Sequence, residues 1–168
     1  MKIENKALRE AYALLEKNTP LGKTDCGLVC NAVCCTDECG DSMELFPYEK
    51  ELFKGTEGFD ITDGEVPLLR CSGRCERYKR PLACRIYPLF PLVDTDEDGN
   101  EHIRVIYDPR ATAACPLCAK RTKLDRRFVR AVRRAGKYLL TDSESAAYLK
   151  KTSDYLKELI KLEVMLNG

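Results

Sequence analysis

Ten cysteines in a chain of 168 residues set the chemistry to be explained. Five lie between Cys26 and Cys39, in DCGLVCNAVCCTDEC. Cys71, Cys75 and Cys84 occupy CSGRCERYKRPLACRIYP, and Cys115 and Cys118 close the set in ATAACPLCAK. Thiolates are nucleophiles, disulfide partners and soft metal ligands, and such density is rare among ordinary core residues. Cys26, Cys30 and Cys34 are spaced i, i+4, i+8, one face of a helix. Eight residues of straight helix rise about 12 Å, whereas thiolates sharing a zinc lie about 2.3 Å from it. Either the run bends, or its thiols serve two centres. Cys34 and Cys35 would point about 100° apart on a helix, which again separates their roles.

Zinc sites favour CxxC knuckles and often include histidine. Only Cys115 and Cys118 have that spacing, and the single histidine, His102, stands apart in the chain and reads as a surface residue. The CxxxC pairs and the Cys115–Pro116 step favour an iron–sulfur cluster, of the 4Fe–4S type, over Zn2+. Cys26, Cys30, Cys34, Cys35, Cys71, Cys75, Cys84 and Cys115 could make two four-ligand centres, with Cys39 and Cys118 spare; one centre with further free thiols is the alternative. Either centre carries a net charge of about −2, so adjacent cations stabilise it. Arg80 and Arg85, flanking Cys84, are the predicted cofactor-binding residues in that role.

Taken together, CxxxCxxxCC, CxxxC and RPLACRIYP resemble the YkgJ-type cysteine-cluster family, whose hallmark is CxxCxxCC followed by a downstream RPxxCRxYP. The matching residues are Cys26, Cys30, Cys34, Cys35, Cys71, Cys75, Arg80, Pro81, Cys84, Arg85, Tyr87 and Pro88. The first block departs from the hallmark, with three residues rather than two between successive thiols. The resemblance implies a zinc- or iron-chelating domain over residues 26–118, of unassigned biochemical role. The cysteine-rich region of flagellin lysine methylases is similar, but this chain shows no Gly-rich methyl-donor motif. Three functions follow as alternatives: a metal-binding protein with the metal as scaffold, an Fe–S electron-transfer protein, and a component of a metalloenzyme. No catalytic acid, base or nucleophile beyond the thiols stands out.

The elements that must position these thiols are legible in part. Ile3, Ala7, Leu8, Ala11, Leu14 and Leu15 recur at helical spacing and predict an N-terminal helix within residues 1–18. Thr24 and Asp25 are candidate caps for the first cysteine run. Met43–Phe46 reads as extended, Pro47–Lys54 as a helix, 59–65 as a turn, and Val66–Arg70 as a strand. Leu82–Ile86 predicts one or two helical turns. Phe90–Val93 and Ile103–Tyr107 predict a β-hairpin around the acidic loop DTDEDGNE, whose DxDxDG lacks the Glu of a calcium loop. An apolar stripe predicts a helix over 119–139, and Thr141 with Glu144 a capping box for another running to Leu166. The expectation is one domain of α+β class, mainly helical: a cysteine-rich loop core around metal (24–118), one short hairpin, and packed terminal helices (119–168 forming a pair). Residues 24–41 are so poor in apolar side chains that metal must hold them together.

The charge balance, 28 basic against 27 acidic residues, excludes a global field toward nucleic acid or lipid. The basic run Lys120–Lys137 is local, with nine cations against Asp125. It reads first as a solvated face and second as a surface for an acidic protein partner, with a structural zinc protein bearing this surface as a further alternative, and no recognised motif supports nucleic acid. No segment is apolar enough for a signal peptide or a membrane span. The expected location is the cytoplasm, where thiols stay reduced and clusters of them bind metal.

Overall fold

Apolar periodicity builds the scaffold, and the cysteine loops hang from it. The computed structural model describes residues 2–35, 42–71, 73, 75–120 and 122–167. Helix α1 (Lys6–Lys17) starts at Asn5, whose side chain accepts from Leu8 N, and buries Leu8, Ala11 and Leu15 completely. It lies against α7 (Arg126–Leu139), which buries Phe128, Val132, Ala135 and Leu139 on its inward face. The other side of α7 meets the hairpin β4 (Leu89–Thr95) and β5 (Glu101–Tyr107). At Gly136 a Cβ would stand 2.6 Å from the Cβ of Pro91, so only glycine permits this approach.

The outer edge of β4 is covered by α8 (Ser143–Asn167). Val93 N donates to Ser153 Oγ at 2.8 Å, and Lys157 Nζ donates to Val93 O at 2.8 Å. Side chains thus satisfy backbone groups that an uncovered edge strand would leave open. One continuous core runs from Leu8 through Leu92 and Phe128 to Leu156.

A second, antiparallel sheet has the order β1-β3-β2, from β1 (Met43–Glu44), β2 (Phe59–Thr62) and β3 (Leu68–Cys71). Five short helices link these parts: α2 (Cys26–Val29), α3 (Glu49–Phe53), α4 (Leu82–Ile86), α5 (Ala111–Ala114) and α6 (Pro116–Ala119). The α+β, mainly helical class is as expected from the sequence, and so are the 89–107 hairpin and the 82–86 helix.

Several local expectations need correction. The single hairpin is joined by the three-stranded sheet, because 59–62, read as a turn, pairs with β3 along its whole length. Helix α3 begins at Glu49 rather than Pro47, since Tyr48 is left-handed at φ 70°. Helix α7 begins at Arg126 rather than 119. Asp125 caps it, accepting from Arg127 N at 2.6 Å, while its own N–H is held by Pro20 O at 2.9 Å. Asp142, not Thr141, caps α8 by accepting from Ser145 N at 2.9 Å. The acidic loop 94–101 is a turn closed on Asp96, which accepts from Asp98 N and Asn100 N.

Candidate metal centre

The first cysteine run bends. Asp25 caps α2 by accepting from Gly27 N at 3.1 Å, and the helix lasts one turn, to Val29. Asn31 and Ala32 follow in the left-handed region, at φ 57° and 53°. That conformation costs roughly 1–2 kcal/mol per non-glycine residue. Ala32 N returns to Gly27 O at 2.9 Å, and a 3-10 turn then carries Val33–Cys35. The bend resolves the spacing problem of the sequence: Cys26 and Cys30 stay on the first turn, and Cys34 and Cys35 are directed elsewhere.

Cys34 and Cys35 reach a cavity of about 390 Å³ that Cys71, Cys75 and Cys84 also line. Cys71 arrives at the end of β3, with its thiol donating to Gly73 O at 3.1 Å, and Gly73 turns the chain at φ 105°. Cys75 follows from that turn, and Cys84 from α4. Cys35 has both Cys34 and Cys71 as hydrogen-bond partners. The Cys34 bond, with burial, pushes the Cys35 thiol up to about 11. The Cys35 bond and burial raise Cys71, while burial and then Cys35, Cys75 and Cys71 raise Cys84 well above the usual thiol range.

A second group forms around Cys115, buried at the start of α6. Cys118 is its hydrogen-bond partner, and burial followed by Cys115 pushes Cys118 up to about 12. Cys26 is raised by burial, with Cys30 and Cys115 among the charges acting on it. Tyr87, preceding a cis peptide bond to Pro88, lines the cavity and feels both groups: burial, then Cys115 and Cys34, raise its phenol. All nine described cysteines are free thiols, and Cys39 lies outside the described residues.

The two arginines differ. Arg80 lines the cavity and binds Asp25 with both terminal nitrogens, at 2.9 and 2.8 Å. Its Nε is buried with no hydrogen-bond partner among the described residues. Arg85 is 2% exposed and does not line the cavity. Its Nε donates to Arg80 O and its Nη2 to Tyr78 O. Nη1 pairs with Glu16, and the guanidinium lies 4.6 Å from the Tyr12 ring centroid. Arg85 therefore ties α4 to α1.

Burial raises the Asp25 carboxyl, but its bonds from Arg80 and Gly27 outweigh this and hold it below its usual range. Asp25→Asn removes the ionic half of the bidentate pair and is expected to cost about 1 kcal/mol, because the pair is partly open to solvent. Urea unfolding of the two proteins measures this; an unchanged midpoint would show that the pair contributes nothing.

Sequence reasoning did not find the far wall of the cavity, where Arg110 grips Asp108 at 2.7 Å and Tyr148 donates to Glu44 at 2.8 Å. These residues come from β1, α8 and the turn between β5 and α5, and carry no local motif. Cys118, left spare by the sequence reading, was detectable from its CxxC spacing to Cys115.

Among the described residues, no three His, Cys, Asp or Glu side chains are arranged to hold a metal ion. The donor chemistry nonetheless fits one. Crowded thiols with raised pKa values resist ionising together, and a bound cation removes that penalty. Arg80, a cation whose Nε is buried with no partner among the described residues, lines the same cavity as the thiols and suits an anionic thiolate centre. No family model, curated protein or solved structure matches the chain.

Proposed function

We propose that the protein binds an iron–sulfur cluster, of the 4Fe–4S type, through clustered cysteine thiolates. The observation that carries this reading is that Cys34, Cys35, Cys71, Cys75 and Cys84, from three separate stretches of chain, line one cavity. Cys26, Cys30 and Cys115 supply the remaining thiols of the predicted set, with Cys118 beside Cys115. The resemblance to the YkgJ-type cysteine-cluster family supports the same chemistry. Bound at these thiols, a cluster supplies one-electron transfer, whereas Zn2+ supplies a scaffold. Arg80 offsets the charge of the thiolates. The free thiols suit a reducing compartment such as the cytoplasm. Among the described residues, no helix is long and apolar enough to cross a membrane.

Zinc in the same thiolates is the second reading, favoured by the CxxC at Cys115 and Cys118. Anaerobic purification followed by iron, acid-labile sulfide and zinc analysis separates the two. Brown protein with matched iron and sulfide, bleached reversibly by a low-potential reductant, is the expected result. Colourless protein with stoichiometric zinc transfers the assignment to zinc, and folded protein holding neither overturns both.

A further inference from the structure

Helix α7 presents a cationic stripe that its own fold does not use. Arg126, Arg127, Arg130, Arg133, Arg134 and Lys137 are all exposed, as is Lys123 just before the helix. None forms an ion pair with an acid among the described residues; the acids of the neighbouring strands, Asp94 and Glu101, are taken by Arg104, Lys157 and Lys150. At about 100° per residue, Arg126, Arg130, Arg133 and Lys137 fall within about 60° of the helix circumference. Arg127 and Arg134 widen the stripe to about 120°, over a length of about 16 Å. The stripe cannot roll away from solvent, because Phe128, Val132, Ala135 and Leu139 fix the opposite face in the core.

Helix economics argue against this arrangement as mere decoration. Arg126 and Arg127 occupy the first turn, at the positive end of the helix dipole, with the capping Asp125 as the adjoining acid and none within the turn itself. Arg126 and Arg130, Arg130 and Arg134, and Arg133 and Lys137 are like charges four residues apart, which repel. An external anion relieves both. The face also shows which anion. It exposes no large apolar side chain, whereas a protein partner's interface has an apolar core depleted of charge. It has no apolar wedge to enter a lipid surface and no exposed aromatic ring on which unpaired bases could stack. Five of its six helical cations are arginine, the side chain that grips phosphate in two-pronged fashion.

We infer that the exposed face of α7 binds the phosphodiester backbone of double-stranded nucleic acid, without preference for base sequence. This rests on α7 alone and stands apart from the metal assignment. The net charge of +1 concentrates the attraction on this face rather than on the whole molecule.

The test is fluorescence anisotropy of the full chain with labelled mixed-sequence DNA and RNA duplexes and a polyglutamate peptide, between about 50 and 200 mM salt. Both duplexes should bind, with log affinity falling against log salt at a slope of about −4, as four or five phosphate contacts require. Arg130→Gln, Arg133→Gln and Arg134→Gln together should weaken binding more than tenfold and flatten the slope by about 2 to 3 units. The matched control, Lys6→Gln, Lys17→Gln and Lys54→Gln, removes the same charge from other exposed positions and should change affinity less than twofold. Circular dichroism verifies that both variants fold. Binding of one duplex only would still support the inference and identify the source of the phosphates. No duplex binding by the parent protein at low salt, equal loss in the control, or polyglutamate bound as tightly as the duplexes would each overturn it.

Discussion

Glu49→Ala is expected to destabilise the fold by about 4 kcal/mol, enough to move a chemical-denaturation midpoint far outside error. Glu49 is completely buried and accepts hydrogen bonds from Tyr12 Oη, from Phe46 N at 2.8 Å and from Leu82 N at 2.7 Å. Truncation orphans three donors in α1, the α3 turn and α4, and removes one of the two carboxyls near the buried Arg85, leaving Glu16. Glu49→Gln keeps the shape but turns an amide donor toward one of those donors, so about 1–3 kcal/mol should be lost. The pH dependence separates charge from shape. Burial raises the Glu49 carboxyl from 4.5 to about 7 against the pull of its donors. Between those values the folded chain holds a proton on Glu49 that the unfolded chain has released, so the contribution of Glu49 to stability falls as pH rises from about 4.5 to about 7 and is level on either side. Glu49→Gln should flatten that fall. An unchanged pH profile would show that Glu49 is ionised throughout.

Removal of the proposed metal is expected to loosen the cysteine loops selectively. Within 26–35 only Ala32 is buried among the non-cysteine residues, while Leu28 and Val29 are 80% and 63% exposed. The left-handed pair Asn31–Ala32 must therefore be held by something other than apolar burial. Helices α1 and α7 and the hairpin have the shared core and need no metal. Chelation or oxidative stripping should speed amide exchange in 26–35 and 73–79 by about a hundredfold, equivalent to about 2.7 kcal/mol of lost local stability. The inner turns of α1 and α7 should stay protected. Uniform exchange before and after stripping would rule out metal as the brace of these loops, and unfolding of the whole chain would give it a larger role.

How much was legible in advance depends on where the information lies. The hairpin was readable because the short apolar runs 90–93 and 103–107 flank an acidic, Gly-containing loop, a local signal, and the terminal helices because their apolar stripes recur every three or four residues. Strand β2 was not, because FDIT is short and takes its identity from pairing with β3. The start of α7 was misread by several residues because the apolar stripe continues through Leu124, whereas the boundary is set by Asp125 meeting Pro20 O from a distant turn.

The same division runs through the cysteines. The sequence alone determined how many thiols there are, that they cluster, and that i, i+4, i+8 spacing forbids one straight helix from serving one centre, since helical rise is a fixed property of the backbone. Tertiary structure decided the sorting. The bend at Asn31–Ala32 sends Cys34 and Cys35 toward Cys71, Cys75 and Cys84, and leaves Cys26 near Cys115. It also gave Arg80 and Arg85, equivalent neighbours of Cys84 in the sequence, opposite surroundings. One is on the cavity wall and the other is committed to α1. Local spacing constrains which side chains can share a direction, whereas which directions converge depends on packing between segments far apart in the chain.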